Sequence, residues 1–404
     1  MAAAQLSVPP LALYAHFPWC VRKCPYCDFN SHTLQSELPV DAYVDALLED
    51  LRGQQAAAAE REIVSIFFGG GTPSLFPPAA IERLLSGIRA QLTLAADAEI
   101  TLEANPGTVE RGRFAAYRAA GINRVSLGAQ SFGARQLQVL GRIHSADETR
   151  AAAQELHAAG LPNFNLDLMF GLPEQSIDGA LADIDAALAL EPAHISHYQL
   201  TLEPGTVFGG KPPAGLPDAD LAGEMQQQCQ QLLAAARFQQ YEVSAYARAG
   251  HQCRHNLNYW HFGDYLGIGA GAHGKLTDVS TGRIERTTRE REPRRYLARG
   301  ARGIPPSQVV RAADRPFEFM MNALRLNEGF SIPDFEQRTG VGWSVVQPII
   351  TALETRGLLE LRGEFWCTTA LGGRFLNDVL AEFLSEPRAE RQSPERKTSE
   401  ASKA

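Results

Sequence analysis

No stretch of the sequence approaches the ~18 consecutive apolar residues of a membrane-crossing helix. Its first fourteen residues contain neither lysine nor arginine, whereas a secretory leader opens on a basic segment before its apolar core. Together these absences predict a chain kept in the reducing cytoplasm. Positive charge is short as well: 38 Lys and Arg stand against 46 Asp and Glu, for a net charge of −8. No global basic field therefore exists to gather nucleic acid or anionic lipid. Cysteine is sparse, at residues 20, 24, 27, 229, 253 and 367. Three fall close together and the others are scattered, which is not the layout of a disulfide framework.

The close triplet, Cys20-x3-Cys24-x2-Cys27, is the most informative feature present, and no fourth cysteine follows it at short range. Thiolate sulfur is the soft ligand that iron–sulfur clusters require. Three thiolates can hold three corners of a four-iron, four-sulfur cluster and leave one iron open for chemistry. A zinc knuckle is the alternative; closed structural zinc wants four ligands, and His16 or His32 could supply the fourth.

With 404 residues, 45% of them hydrophobic, the chain can bury a large core and a second small one. Strands are predicted at residues 11–17, 63–68, 99–104, 124–127, 164–168 and 194–202. Helices are predicted between them at 39–52, 77–91, 110–120, 147–159 and 177–190. Gly121 and Gly160 fall just past two of these helices, where a left-handed cap is commonly needed. Six strand–helix units are too few for a closed eight-fold barrel, so an open, partial (β/α)6 TIM-type barrel is expected within an α/β fold. Cys20, residues 69–72, Glu103, Gln130 and Asp167 all follow strands, and the carboxyl ends of parallel strands are where sites form.

Residues 221–238 read as a helix and 240–245 as a strand. Residues 282–315 carry ten arginines against four acids, a surface linker or a patch for an acidic partner or ligand carboxylates. Residues 316–384 show three helical stretches (316–326, 332–338, 344–356) and then a hairpin (358–361 and 365–368), the order of a winged-helix-like α+β domain. Its third helix bears only Arg356, whereas DNA-reading versions are basic there. The polar residues 385–404 read as a disordered tail. The expected organisation is a cluster-bearing core over 1–245, an extension and basic linker over 246–315, the small domain over 316–384, and the tail.

Further motifs follow the triplet in order: Phe68-Gly-Gly-Gly-Thr72-Pro-Ser, Leu102-Glu103-Ala-Asn-Pro-Gly107, Gly128-Ala-Gln130-Ser131-Phe, Leu140-Gly-Arg142-Ile-His144 and Asn165-Leu-Asp167-Leu-Met-Phe-Gly-Leu-Pro173. With Tyr26 before Cys27, this series resembles the radical S-adenosylmethionine (SAM) proteins of the oxygen-independent coproporphyrinogen III oxidase-like family, over about residues 11–380. Two features favour the heme-chaperone branch. The oxidases have a further cysteine two residues after the third, where this chain has Phe29. And His255-Asn256-Leu-Asn-Tyr259 resembles the heme-binding His-Asn-x-x-Tyr motif.

The resemblance implies that Cys20, Cys24 and Cys27 hold the 4Fe-4S cluster and that SAM chelates the open iron. Gly70, Gly71 and Thr72 would meet the amino end of SAM's methionine. Arg142 suits its carboxylate, because a guanidinium pairs with a carboxylate as a fork. Glu103, Gln130 and Asp167 suit the ribose hydroxyls or the ammonium. Tyr14 and Tyr26 could line the pocket, with core packing an equally good account of either; by family position Ile268 touches SAM. The stretch from Gly267 to His273, superficially a dinucleotide fingerprint, reads as backbone packing near the adenine. His255 would be the axial ligand of heme iron, with Asn256 orienting its ring and Tyr259 on the porphyrin or a propionate. The implied function is a heme chaperone serving heme-accepting proteins, with a small reductant protein such as flavodoxin or ferredoxin. The alternatives are oxidative decarboxylation of coproporphyrinogen III and a cluster-sensing transcription regulator; the weakly basic third helix argues against the last.

Overall fold

The computed structural model describes residues 4–58, 61–107, 112–300 and 305–384. Its centre is a run of parallel strands: β1 (Leu11–Phe17), β2 (Ile63–Gly70), β3 (Leu94–Ala104), β4 (Arg124–Gln130), β5 (Phe164–Phe170) and β6 (His194–Gln199). They lie side by side in chain order, each paired in parallel with the next. β1 reads Leu-Ala-Leu-Tyr-Ala-His-Phe and is buried on both faces, as a parallel strand covered by helices must be. The helix Val40–Arg52 supplies Tyr43, Val44, Leu47 and Leu51 to that cover. Gly121 (φ 114°) closes the helix Phe114–Ala120, and Gly160 (φ 70°) follows Ala146–Ala158. Both left-handed caps fall where the sequence placed them. Ser145 and Glu148 form a capping box at the start of the second of these helices.

The sheet does not stop at six strands. Residues 240–245, expected as one strand, fold as a hairpin of β7 (Gln239–Glu242) and β8 (Ala245–Ala247), with β8 antiparallel to β6. On the far side, β9 (Asp264–Ile268) pairs in parallel with β1. β10 (His273–Asp278), β11 (Arg283–Thr288) and β12 (Ser307–Val309) then continue antiparallel. The result is one open twelve-stranded sheet with β1 in its interior.

The basic stretch is consequently no plain surface linker. Arg286 pairs with Glu318 at 2.6 Å, Arg289 with the buried Asp50, and Arg315 donates to Thr339 O at 3.0 Å. Arg302, the first two residues of the helix expected at 110–120, and the tail 385–404 lie outside the described residues.

The C-terminal unit keeps the expected order. Helices Arg315–Ala323, Ile332–Thr339 and Gln347–Thr355 precede a hairpin of β14 (Leu359–Arg362) and β15 (Phe365–Thr368), which β13 (Phe330–Ser331) completes as a three-stranded sheet. Its own core gathers Phe319, Phe335, Ile350 and Leu353 with Phe262 and Ile284 from the large sheet's side, so the small unit is packed onto that edge.

Candidate cofactor site and an adjoining aromatic cavity

β1 ends at Phe17, and Pro18 opens a loop closed by parallel pairing of Trp19–Cys20 with His32–Thr33. Leu34 N–H donates to Cys20 O at 2.9 Å, and Lys23 Nζ donates to Phe29 O and Ser31 O at 3.1 Å. Asn30 Nδ2 ties the loop to Ala270 O and Arg291 O, each at 2.9 Å. Cys20, Cys24 and Cys27, all half-buried, face one cavity of about 390 Å3. Polar groups stand beside each sulfur: Thr72 Oγ1 at 3.5 Å from Cys20, Arg142 Nη1 at 3.6 Å from Cys24, and Ser31 Oγ at 3.8 Å from Cys27. Burial pushes the Cys20 and Cys27 thiols up; a bound cation would reverse that. The three sulfurs do not all lie within 4.8 Å of one another, wider than a single zinc needs at about 2.3 Å per Zn–S bond. His16 is also committed elsewhere, Nδ1 to Tyr14 Oη at 2.7 Å and Nε2 to Asn30 O at 2.9 Å.

The strand ends deliver the rest of the wall. Gly70 ends β2 with φ 117°, and its N–H donates to Glu103 Oε2 at 2.9 Å. A Cβ there would stand 2.5 Å from the His16 ring, and one on Gly71 would stand 2.6 Å from Trp19 O, so both positions demand glycine. Thr72 N–H is held by Trp19 O at 2.8 Å. Arg142 donates through Nη2 to Asn105 Oδ1 at 2.5 Å and Gly128 O at 2.7 Å, while its buried Nε has no partner among the described residues. Gln130 ends β4 at φ 68° and accepts from Tyr198 Oη at 2.8 Å. Asp167 accepts from Ser126 Oγ at 3.0 Å and Asn165 Nδ2 at 2.8 Å. Burial raises its carboxyl. Glu103 is pushed up to about 8, first by burial and then by the Asp167 charge, and is therefore a neutral acid at pH 7.

A second cavity of about 640 Å3 lies against the first, and Asp28, Phe29, Gly70 and Glu103 line both. Its walls are Tyr14, Phe67, Tyr259, Trp260, Phe262, Tyr265 and Met321, with His273, Lys275, Arg286 and Arg291 around them.

Most of the expected residues meet at the first cavity: the three cysteines, Tyr26, Gly70, Gly71, Thr72, Glu103, Gln130, Arg142 and Asp167. Tyr14 does not line it; it stacks on Phe67 at 5.8 Å and faces the second. Ile268 is fully buried in the sheet's core and touches neither cavity. Tyr259 lines the second cavity, but His255 and Asn256 line neither.

His255 lies beneath Phe67, the rings stacked at 4.1 Å and 12°, and its Nδ1 donates to Glu99 Oε1 at 3.1 Å. Glu99 also accepts the N–H groups of Arg254 and His255, each at 3.1 Å, which fastens the start of the helix Arg254–Trp260 to β3. Burial alone would raise Glu99, but the His255 bond and the Arg124 charge hold it well below the usual carboxylate range. Burial keeps His255 neutral.

Asn105, Ser126 and Tyr198 join the first cavity without having been singled out from sequence. Ser126 sits opposite both Glu103 and Asn165 in register. The available signal was a polar residue at every second position of otherwise apolar strands.

The model of the Radical SAM superfamily matches residues 14–187, and that of the HemN C-terminal domain matches residues 310–375. The heme chaperone HemW of Escherichia coli is 52% identical over 381 residues, spanning 94% of this chain and 100% of that protein. HemW of Haemophilus influenzae is 49% identical, spanning 94% and 99%. The solved structure of E. coli coproporphyrinogen III oxidase (HemN), a radical SAM enzyme, superposes with a TM-score of 0.79 at 22% identity, spanning 93% and 90%, a likeness of fold. With half its residues shared along nearly its whole length, the chain belongs to the HemW family of heme chaperones within the radical SAM superfamily.

Proposed function

We propose that this chain binds heme together with a SAM-ligated 4Fe-4S cluster and passes the heme to acceptor proteins in the cytoplasm. The observation that carries the reading is the pair of adjoining cavities. One is lined by three thiols and strand-end polar groups; the other is lined by aromatic rings with cations around them. Among the described residues no helix is long and apolar enough to cross a membrane.

The residues present fit the implied cofactors. Three half-buried thiols open onto one space, and the buried, unpartnered Arg142 Nε–H stands in the same cavity wall. In this reading Cys20, Cys24 and Cys27 hold the cluster and Arg142 meets the carboxylate of SAM. Gly70, Gly71 and Thr72 give its amino end a close backbone approach, while Tyr26, Gln130 and Asp167 complete the wall. When bound and reduced, the cluster supplies the electron that SAM chemistry uses. Glu103, held protonated by its surroundings, donates its proton as a hydrogen bond rather than placing a second negative charge beside Asp167. A small protein such as flavodoxin or ferredoxin would deliver the electron. Phe29, where the oxidases carry another cysteine, offers an aromatic face to both cavities.

The test offers heme and coproporphyrinogen III in parallel to reduced, SAM-loaded protein without oxygen. One heme retained per chain, released to an apo-acceptor, with the porphyrinogen unchanged, is the expected outcome. Decarboxylation of the porphyrinogen, or failure to retain heme, overturns the reading.

A further inference from the structure

Resting on the cluster-bearing heme-chaperone reading, we propose that the surface around the thiol loop is a docking face for a small acidic protein that carries single electrons. Cys24 is the point of entry. It lines the cofactor cavity and also a small pocket of about 70 Å3 walled by Val21, Arg22, Ile143 and Glu148. That pocket shares no residue with the aromatic cavity, so a partner seated over it meets the thiol site rather than the aromatic one.

Large apolar side chains are exposed around this point. Val21 is 45% exposed, Phe29 58%, Ile143 57% and Val207 67%. They come from three segments held against one another. A Cβ on Gly141 would stand 3.0 Å from Pro25 Cδ, and Phe208 N–H donates to Pro25 O at 3.0 Å. Tyr26, Leu140, Leu200 and Phe208 pack in one cluster. Exposed apolar side chains gathered from separate segments mark an interaction surface, whereas single ones are ordinary.

Charge decides the occupant. The chain carries −8 overall, which repels an acidic protein, yet the loop's exposed tip is Arg22-Lys23. Arg22 makes no ion pair among the described residues. Lys23 Nζ is bonded only to the carbonyls of Phe29 and Ser31, which leave its charge uncancelled. Asp28, the acid in residues 20–29, lines the two larger cavities, and Glu148 is bound to Ser145 N–H at 2.8 Å. A local pair of cations on an acidic molecule steers and orients an acidic partner. A second copy of this chain suits the face less, because a two-fold contact sets the same cations against each other. The transfer moves one electron and breaks no bond: the carrier's reduced centre loses the electron and the cluster gains it through Cys24.

The experiment titrates oxidised flavodoxin, an acidic flavin-mononucleotide carrier, into full-length, cluster-loaded protein by calorimetry at low and high salt. It compares the unaltered chain with Arg22→Glu, Ile143→Ser, Val207→Ser and, on the small unit, Leu371→Ser. Cluster reduction by dithionite, which needs no docking face, is followed by EPR in each. The expected pattern is about tenfold weaker binding in Arg22→Glu at low salt, largely gone at high salt. Ile143→Ser and Val207→Ser should weaken binding several-fold at either salt, Leu371→Ser should bind as the unaltered chain does, and dithionite should reduce all five alike. Equal binding by all five, no binding by the unaltered chain, variants that dithionite no longer reduces, or variants that lose self-association while still binding the carrier each overturn the docking face and leave the chaperone reading standing. Failure of the unaltered chain to take up a cluster overturns both.

Discussion

The two cavities share a wall but are built from different parts of the chain. The thiol cavity takes its polar groups from the ends of β1 to β6, delivered by six consecutive strand–helix units. The aromatic cavity combines β1 and β2 with residues 259–291 and with Met321 and Asn322 of the small unit, brought together only because β9 pairs with β1. A site on successive parallel strands is written in local motifs. A site at a long-range strand pairing is not.

Removing the thiols is the strongest way to test this separation. Cys20→Ala, Cys24→Ala and Cys27→Ala should each abolish stable cluster incorporation, read as iron and sulfide content after anaerobic reconstitution, while heme uptake falls by no more than a few fold. Equal loss of both ligands would make the cavities one site.

On the opposite side, Lys275 is fully buried, with Nζ donating to Asp264 Oδ1 at 2.9 Å and Phe262 O at 3.0 Å and lying 4.3 Å from the Phe262 ring centre. Lys275→Ala should cost about 3–5 kcal/mol in urea unfolding, because breaking a buried pair leaves charge poorly matched; Arg61, 3.0 Å from Asp264, holds the loss toward the lower figure. An unchanged midpoint would mean the aromatic cavity's wall does not depend on that pair.

Arg142→Ala should weaken SAM binding by about 1.5–3 kcal/mol, the worth of hydrogen bonds to a charged group, measured by calorimetry on cluster-loaded protein. Heme affinity should not move.

Glu103, shared by both cavities, gives the smallest effect. Its acid is raised from the ordinary 4.5 to about 8, so its contribution to ligand-free stability is complete below about pH 4.5 and is lost as pH climbs through 8. The half-buried carboxyl is partly screened by solvent in the two cavities, which holds the loss to about 1–2 kcal/mol. Glu103→Gln should flatten the urea midpoint between pH 5 and 8.5; an unaltered slope would show that Glu103 is ionised throughout.

The sequence carried the parallel strands, the left-handed caps at Gly121 and Gly160, the winged-helix order and most of the thiol cavity, because each is encoded in spacings of a few residues. It did not reveal that β9 to β12 extend the sheet, since β9 lies beside a glycine-rich stretch that reads as backbone packing and the arginine-rich β11 reads like a linker. Nor did it place His255, whose burial under Phe67 and bond to Glu99 join three separate elements. Tyr14 lines the aromatic cavity, which the sequence alone does not distinguish from its neighbour, because alternate residues of a strand face opposite ways and both faces of β1 are covered.

β1 has a further consequence for how the protein is made. Among the described strands it comes first in the chain, yet it lies in the sheet's interior, flanked on one side by residues 63–70 and on the other by residues 264–268. Until residues 264–268 have left the ribosome, one rim of β1 is an open template for mispairing, and closing it spans a long sequence separation that slows folding. The thiol loop at its end, tied through Asn30 to Ala270 and Arg291, therefore reaches its finished setting only after that distant strand has paired.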